Sequence, residues 1–154
     1  MRLPWLLLPA AAALAQDFSH RGFFETRFLL YPQTASNDSG HAVTEGLFRY
    51  EAAYKARPWF RLAGAFDART DSHHQTAREW DIEWQDRGRQ RPAFAVRRLS
   101  AIFNRKGFTA EIGKQFIRWG KADVLNPTDR FAPRDFLSVV DNDFLGVTAA
   151  RLTW

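Results

Sequence analysis

An all-β fold, built as an antiparallel up-and-down barrel, is the fold class this sequence predicts, and three observations predict it. Apolar and polar residues alternate with period two over long runs. The connections between these runs alternate between long and short. Beyond the first fifteen residues no apolar run has the length of a transmembrane helix. Strict alternation places side chains on opposite faces of a strand, one apolar and one polar.

The chain opens on a leader. Arg2 supplies a positive charge, residues 3–14 are apolar, and Ala13-Leu14-Ala15 has the A-x-A form that signal peptidase reads. A signal peptide over 1–15 is expected, with Gln16 as the mature start and 16–154 as a single structural unit. The competing reading, a membrane anchor, needs about 20 apolar residues. The formal net charge is +5 and falls by one with Arg2. A basic balance can indicate nucleic acid, but an exported chain does not normally meet any, so no nucleic-acid partner is expected. The sequence has no cysteine. Disulfides therefore do not hold the fold together, and thiolate metal sites are excluded.

The first strand carries Gly22, Phe24, Thr26, Phe28 and Leu30 on one face and Arg21, Glu25 and Arg27 on the other, with Phe23 and Leu29 among them. In the second, Phe48, Tyr50, Ala52 and Tyr54 alternate with Arg49, Glu51, Ala53 and Lys55. In the third, Phe60, Leu62, Gly64 and Phe66 alternate with Arg61, Ala63, Ala65 and Asp67. A fourth strand is expected over 93–103, a tight hairpin over 104–107 with Gly107 at positive φ, a fifth strand over 108–119 and a sixth over 146–154. Segments 46–56 and 58–70 reach the length of about 9–11 residues that a tilted strand needs to cross a bilayer, against about 5–6 for an ordinary strand. The fold is therefore expected to be a transmembrane barrel. Closed barrels and helices are the structures that satisfy every backbone group in lipid.

Long connections over 33–44, 70–91 and 121–144 alternate with short ones at Arg57-Pro58 and 104–107. Outer-membrane barrels have short periplasmic turns and longer external loops. The parity holds if 79–84, with Trp80, Ile82 and Trp84 on one side, is loop or strand extension above the membrane and not a separate crossing. Tyr31, Trp59, Phe60 and Trp119 stand near strand ends, as interfacial aromatics do. Capping the core of a soluble sandwich is the competing reading.

About six strands fall short of the minimum of about eight in such barrels. The chain is therefore expected to be the N-terminal part of a larger barrel. Trp154 with Leu152 two residues earlier is a counter-signal, because an aromatic last residue marks complete barrels. Self-association of short chains into one barrel is the other way to closure.

Residues Gly113-Lys114-Gln115-Phe116-Ile117-Arg118-Trp119-Gly120-Lys121-Ala122-Asp123 lead into Asn126-Pro127-Thr128-Asp129 and Phe131-Ala132-Pro133-Arg134-Asp135. This stretch, about a sixth of the chain, resembles a group of porin-like outer-membrane proteins of Gram-negative bacteria. In that group a strand ending G-R-Q-x-x-x-W-G leads into a loop with N-P-x-D. Lys114 stands where Arg is more usual. The resemblance implies a large barrel with further strands and a channel class, and it implies no particular solute. On physical grounds Gly113 marks a bend or a close backbone approach, and Asn126-Pro127 and Ala132-Pro133 stiffen a loop. A loop carrying Asp123, Asp129, Arg130, Arg134 and Asp135 either folds inward as a charged constriction or stays outside with its charges solvated.

The strand-borne charges are the leading functional candidates. Arg27, Arg49, Glu51, Lys55, Arg61 and Asp67 all lie opposite the apolar faces, which in a barrel is the lumen. Their excess of Arg and Lys points to some preference for anions; the competing reading is the solvated face of a soluble sheet. On the fifth strand Glu111 and Gln115 share one face and Lys114 and Arg118 the other, with the water-facing side open. His73-His74 beside Asp71 are expected to be loop residues and not metal ligands. No G-x-S-x-G element, phosphate loop or dinucleotide fingerprint occurs.

The expected protein is thus an outer-membrane channel for passive diffusion of small hydrophilic, preferably anionic, solutes, with no catalytic residues, cofactor or metal. Its expected partners are outer-membrane lipid, the barrel-assembly machinery and the solutes, with homo-oligomerisation open. Two other classes predict different behaviour. A secreted soluble β-sandwich binding carbohydrate through Trp80 and Trp84 would need no detergent. An outer-membrane hydrolase would lose activity with one Ser or His.

Overall fold

The computed structural model describes residues 17–34, 40–85, 88–117, 132–137 and 143–154. The leader expected over 1–15 and the motif residues Trp119, Gly120, Asp123, Asn126, Pro127 and Asp129 lie outside the described residues.

Among the described residues the period-two segments form seven strands: β1 (Phe18–Leu30), β2 (Ala42–Arg57), β3 (Phe60–Asp71), β4 (Thr76–Glu83), β5 (Arg91–Arg105), β6 (Phe108–Gln115) and β7 (Val147–Thr153). They make one sheet in the order β1-β2-β3-β5-β6-β7, with every neighbour in that path antiparallel. Among the described residues β1 and β7 are its two edges, so the sheet is open.

Where about six strands are expected, the described residues hold seven. The extra strand, β4, comes from the segment expected to be loop or strand extension. It pairs parallel with β5 and lies off the main path. The physical reason is an unfilled edge. β6 covers β5 only from Leu99 to Arg105, which leaves the backbone groups of the first residues of β5 unpaired. β4 takes that edge, with Thr76 opposite Arg91 and Glu83 opposite Ala95. Because β4 does not stand between β3 and β5, those two remain antiparallel and the up-and-down alternation survives.

Turn chemistry is local. In the β5–β6 hairpin Lys106 takes φ +47° and Gly107 φ +83°, the two positive values that a two-residue hairpin matching strand twist requires. Above β3, the Asp71 carboxylate accepts the backbone N–H groups of His73, Gln75 and Thr76 at 2.7, 2.9 and 2.6 Å. It thereby turns the chain into β4. His73 and His74 belong to this turn, and among the described residues no three metal-binding side chains converge.

The two faces of the sheet differ in burial. On one face Phe24 is 72% exposed, Phe28 64% and Leu152 68%, and Leu30, Leu99 and Ile112 are exposed beside them. On the other, Asp67 is 0% exposed and Glu111 and Ser100 are 3% exposed. The few buried apolar residues are small, mainly Ala63, Ala65 and Ala95. Trp59, Phe60 and Phe103 cluster at the β2–β3 turn end, with ring centroids 4.9–6.2 Å apart. Higher on the apolar face, Trp80 stacks on Phe94 at 5.5 Å.

Candidate functional site

Register brings the strand charges to one face. Arg21 lies opposite Glu51, Arg27 opposite Glu45, Arg49 opposite Asp67 and Lys55 opposite Arg61. Arg27, Arg49, Glu51, Lys55, Arg61 and Asp67 therefore share the polar face, as the alternation predicts. They do not form one cluster. Arg27 bonds its near neighbour Glu25 at 2.5 Å, and Arg21 bonds Glu51 at 2.6 Å. No carboxylate among the described residues pairs with Lys55 or Arg61, and like charges in register repel.

Asp67 organises the densest group. Arg49 grips it with two bonds, Nε to Oδ1 at 2.8 Å and Nη2 to Oδ2 at 3.0 Å. Arg69 donates to Oδ2 at 2.7 Å, and Arg97 stands 3.5 Å away. Arg97 reaches this point through a β-bulge. Ala65 faces Arg98 and Phe66 faces Val96, so Arg97 is the extra residue of β5. A bulge re-aims one side chain, and here it adds a guanidinium to the polar face.

A second group forms lower on the sheet around Glu111. Its Oε1 accepts from Arg98 and from Ser100 at 2.8 Å each, and its Oε2 accepts from Arg151 at 2.6 Å. These contacts assign the two faces of β6. Glu111 belongs to the charged face, while Ile112 is exposed on the apolar one.

The motif residues divide by role. Gly113 takes φ +123°, and a Cβ there would lie 2.3 Å from the Leu99 carbonyl oxygen. Both facts demand glycine. Gly113→Ala is expected to destabilise the folded protein by about 1–3 kcal/mol, read as a lower urea midpoint, with the loss confined to β5–β6 in hydrogen exchange. Lys114 is 1% exposed; its Nζ donates to the Trp84 carbonyl at 2.5 Å and lies 5.8 Å from the Trp84 ring centroid. Trp84 in turn donates to Thr148 Oγ1 at 3.1 Å, so the end of β4 is clasped against β6 and β7. Gln115 is fully buried and donates to the Ala149 carbonyl at 2.9 Å. Gly113, Lys114 and Gln115 thus each tie β6 to a neighbouring segment.

The described part of the long segment before β7 lies on the polar face. Asp143 Oδ2 accepts from Arg49 Nη2 at 2.9 Å and from Arg97 Nη1 at 2.8 Å. Arg134 sits over the Phe144 ring at 4.3 Å, and Asp135 stands 3.5 Å from Arg91. Residues 132–137 and 143–146 are therefore held against the charged side of the sheet. Beside them runs an open trough of about 530 Å³. Five arginines line it, Arg21, Arg49, Arg61, Arg97 and Arg98, against the carboxylates of Glu51 and Asp143.

Sequence reasoning missed Arg69, Arg97, Arg98, Asp143 and Arg151. Arg69 and Arg151 follow the same alternation and were legible by extending it. Arg97-Arg98 breaks the alternation, because adjacent charges assign no face until the bulge is known. Asp143 carries no periodic signal at all.

Comparison of the chain with protein-family models, with curated proteins and with solved structures finds no match.

Proposed function

We propose that this chain is part of a porin-like outer-membrane β-barrel. In this reading the charged face of the sheet lines a water-filled lumen, through which small hydrophilic solutes, anions preferred, diffuse passively. One observation carries the reading: the apolar face is exposed and aromatic, while the opposite face holds the buried ion pairs. Water would penalise that arrangement, since large exposed apolar surfaces on soluble proteins are covered by a partner. Lipid favours it, and barrel strands in lipid alternate apolar-out and polar-in.

Strand length adds support, as β1, β2, β3 and β5 have 13, 16, 12 and 15 residues. In lipid the edges that β1 and β7 form among the described residues need partners, so the proposed barrel closes with further strands, from the same chain or from other copies. The excess of arginine over carboxylate along the trough gives the lumen its sign. No catalytic role is proposed for any residue.

Full-length protein reconstituted in a planar bilayer is expected to give discrete conductance steps, with a reversal potential of anion-selective sign under a KCl gradient. Arg61→Glu combined with Lys55→Glu is expected to move that potential toward the cation side. Folded protein without conductance would sink the channel reading. Protein that stays monodisperse in water without detergent would return the soluble carbohydrate-binding sandwich.

A further inference from the structure

The Asp67 group holds more cation than its buried carboxylate neutralises. Arg49, Arg69 and Arg97 surround Asp67, which is wholly buried, so two positive charges remain in excess. Asp143 removes one of them. Its position differs from that of Asp67, because its side chain is 43% exposed and one oxygen, Oδ2, bridges Arg49 and Arg97. That oxygen occupies a preformed two-guanidinium fork open to the trough.

The backbone around Asp143 is secured by bonds that do not use its carboxylate. Its carbonyl accepts the N–H of Asp135 at 2.8 Å, the N–H of Leu145 donates to the Pro133 carbonyl at 2.9 Å, and Arg97 Nη2 donates to the Phe144 carbonyl at 3.3 Å. The carboxylate can leave the fork by rotating its own side chain between staggered wells, without dismantling the segment. The neighbouring trough suits a small organic body. Its lining includes Ala53, Ala63 and Ala65, whose short side chains leave room, and Phe116, over which Arg97 sits at 5.4 Å.

Resting on the reading of this face as a lumen, we infer that Arg49 and Arg97 form a binding site for the carboxylate of a small organic acid, which Asp143 fills in this structure as a tethered competitor. Planar guanidinium forks recognise planar carboxylates. A carboxylate on the same chain competes at a high effective concentration. A passing acid exchanges with Asp143 and so binds weakly enough to leave again, as conduction demands.

Benzoate is the probe and benzamide its uncharged control, titrated calorimetrically into refolded full-length protein in detergent. Asp143→Asn is nearly isosteric and sits at a part-exposed position, and heat-modifiable gel mobility checks its fold. It is expected to bind benzoate about tenfold more tightly than the unmodified protein, with benzamide bound by neither. Arg97→Lys in the Asp143→Asn background keeps a charge but loses the fork, and is expected to lose that gain. Equal benzoate affinity with and without Asp143, or no binding to Asp143→Asn, overturns the site. Bilayer conductance is measured separately. Enhanced binding without conductance supports the site and removes only the channel, whereas conductance with unchanged benzoate affinity removes only the site.

Discussion

Asp67→Ala is expected to destabilise the folded protein by about 3–5 kcal/mol, because removing one member of a buried ion group strands the others. Asp67 is the point where Arg49, Arg69 and Arg97 meet, and it is fully buried. Without it three guanidiniums face one another across β2, β3 and β5, with Asp143 as their remaining counter-charge. Urea unfolding followed by tryptophan fluorescence in lipid vesicles reads the loss. A midpoint shift worth less than about 1 kcal/mol would mean that water reaches the cluster and solvates it. A second variant checks the cause. Asp67→Ala with Arg97→Ala removes part of the repulsion and is expected to recover part of the stability, a non-additivity confined to groups in direct contact.

The second large effect separates lipid from water as the medium of the apolar face. Leu99 stands near the middle of β5, half exposed, opposite Gly64 on β3 and Lys114 on β6. In a bilayer Leu99→Arg is expected to cost about 2–4 kcal/mol, the penalty for a cation near the midplane of a barrel's lipid face. On a water-facing sheet the same change costs about 0.5 kcal/mol, as for other exposed positions. Ala53→Lys on the opposite face is the control and is expected to stay near that lower figure while increasing anion preference. Unfolding midpoints in vesicles compare the two directly. Equal small effects would remove the membrane assignment and leave the all-β sheet intact.

Most of the fold was legible because its signal is local. Successive side chains on a strand point to opposite faces whatever the partner, so Phe48-Arg49-Tyr50-Glu51 assigns its own two faces. Turn chemistry is equally local, and Gly107 announces the β5–β6 hairpin. β4 was illegible as a paired strand for the opposite reason. The alternation of Trp80, Ile82 and Trp84 is visible, but its partner is decided by the edge of β5 that β6 leaves free. The strand position of Gly113 allows a bend or a close approach, and the pairing decides for the close approach, with the Leu99 carbonyl as its partner.

What the sequence determined by itself is the all-β class, the two faces of each long strand and the sign of the charge on the polar one. These follow from backbone geometry and residue type over a few neighbouring positions. Only the tertiary structure decided which charges meet. Arg49 and Asp143 are 94 residues apart, and their contact depends on cross-strand register, the bulge at Arg97 and a segment without periodicity laid on the polar face. A charged side chain carries its sign in the sequence, but its partner is set by distances of a few ångströms, which come into being when the strands pair.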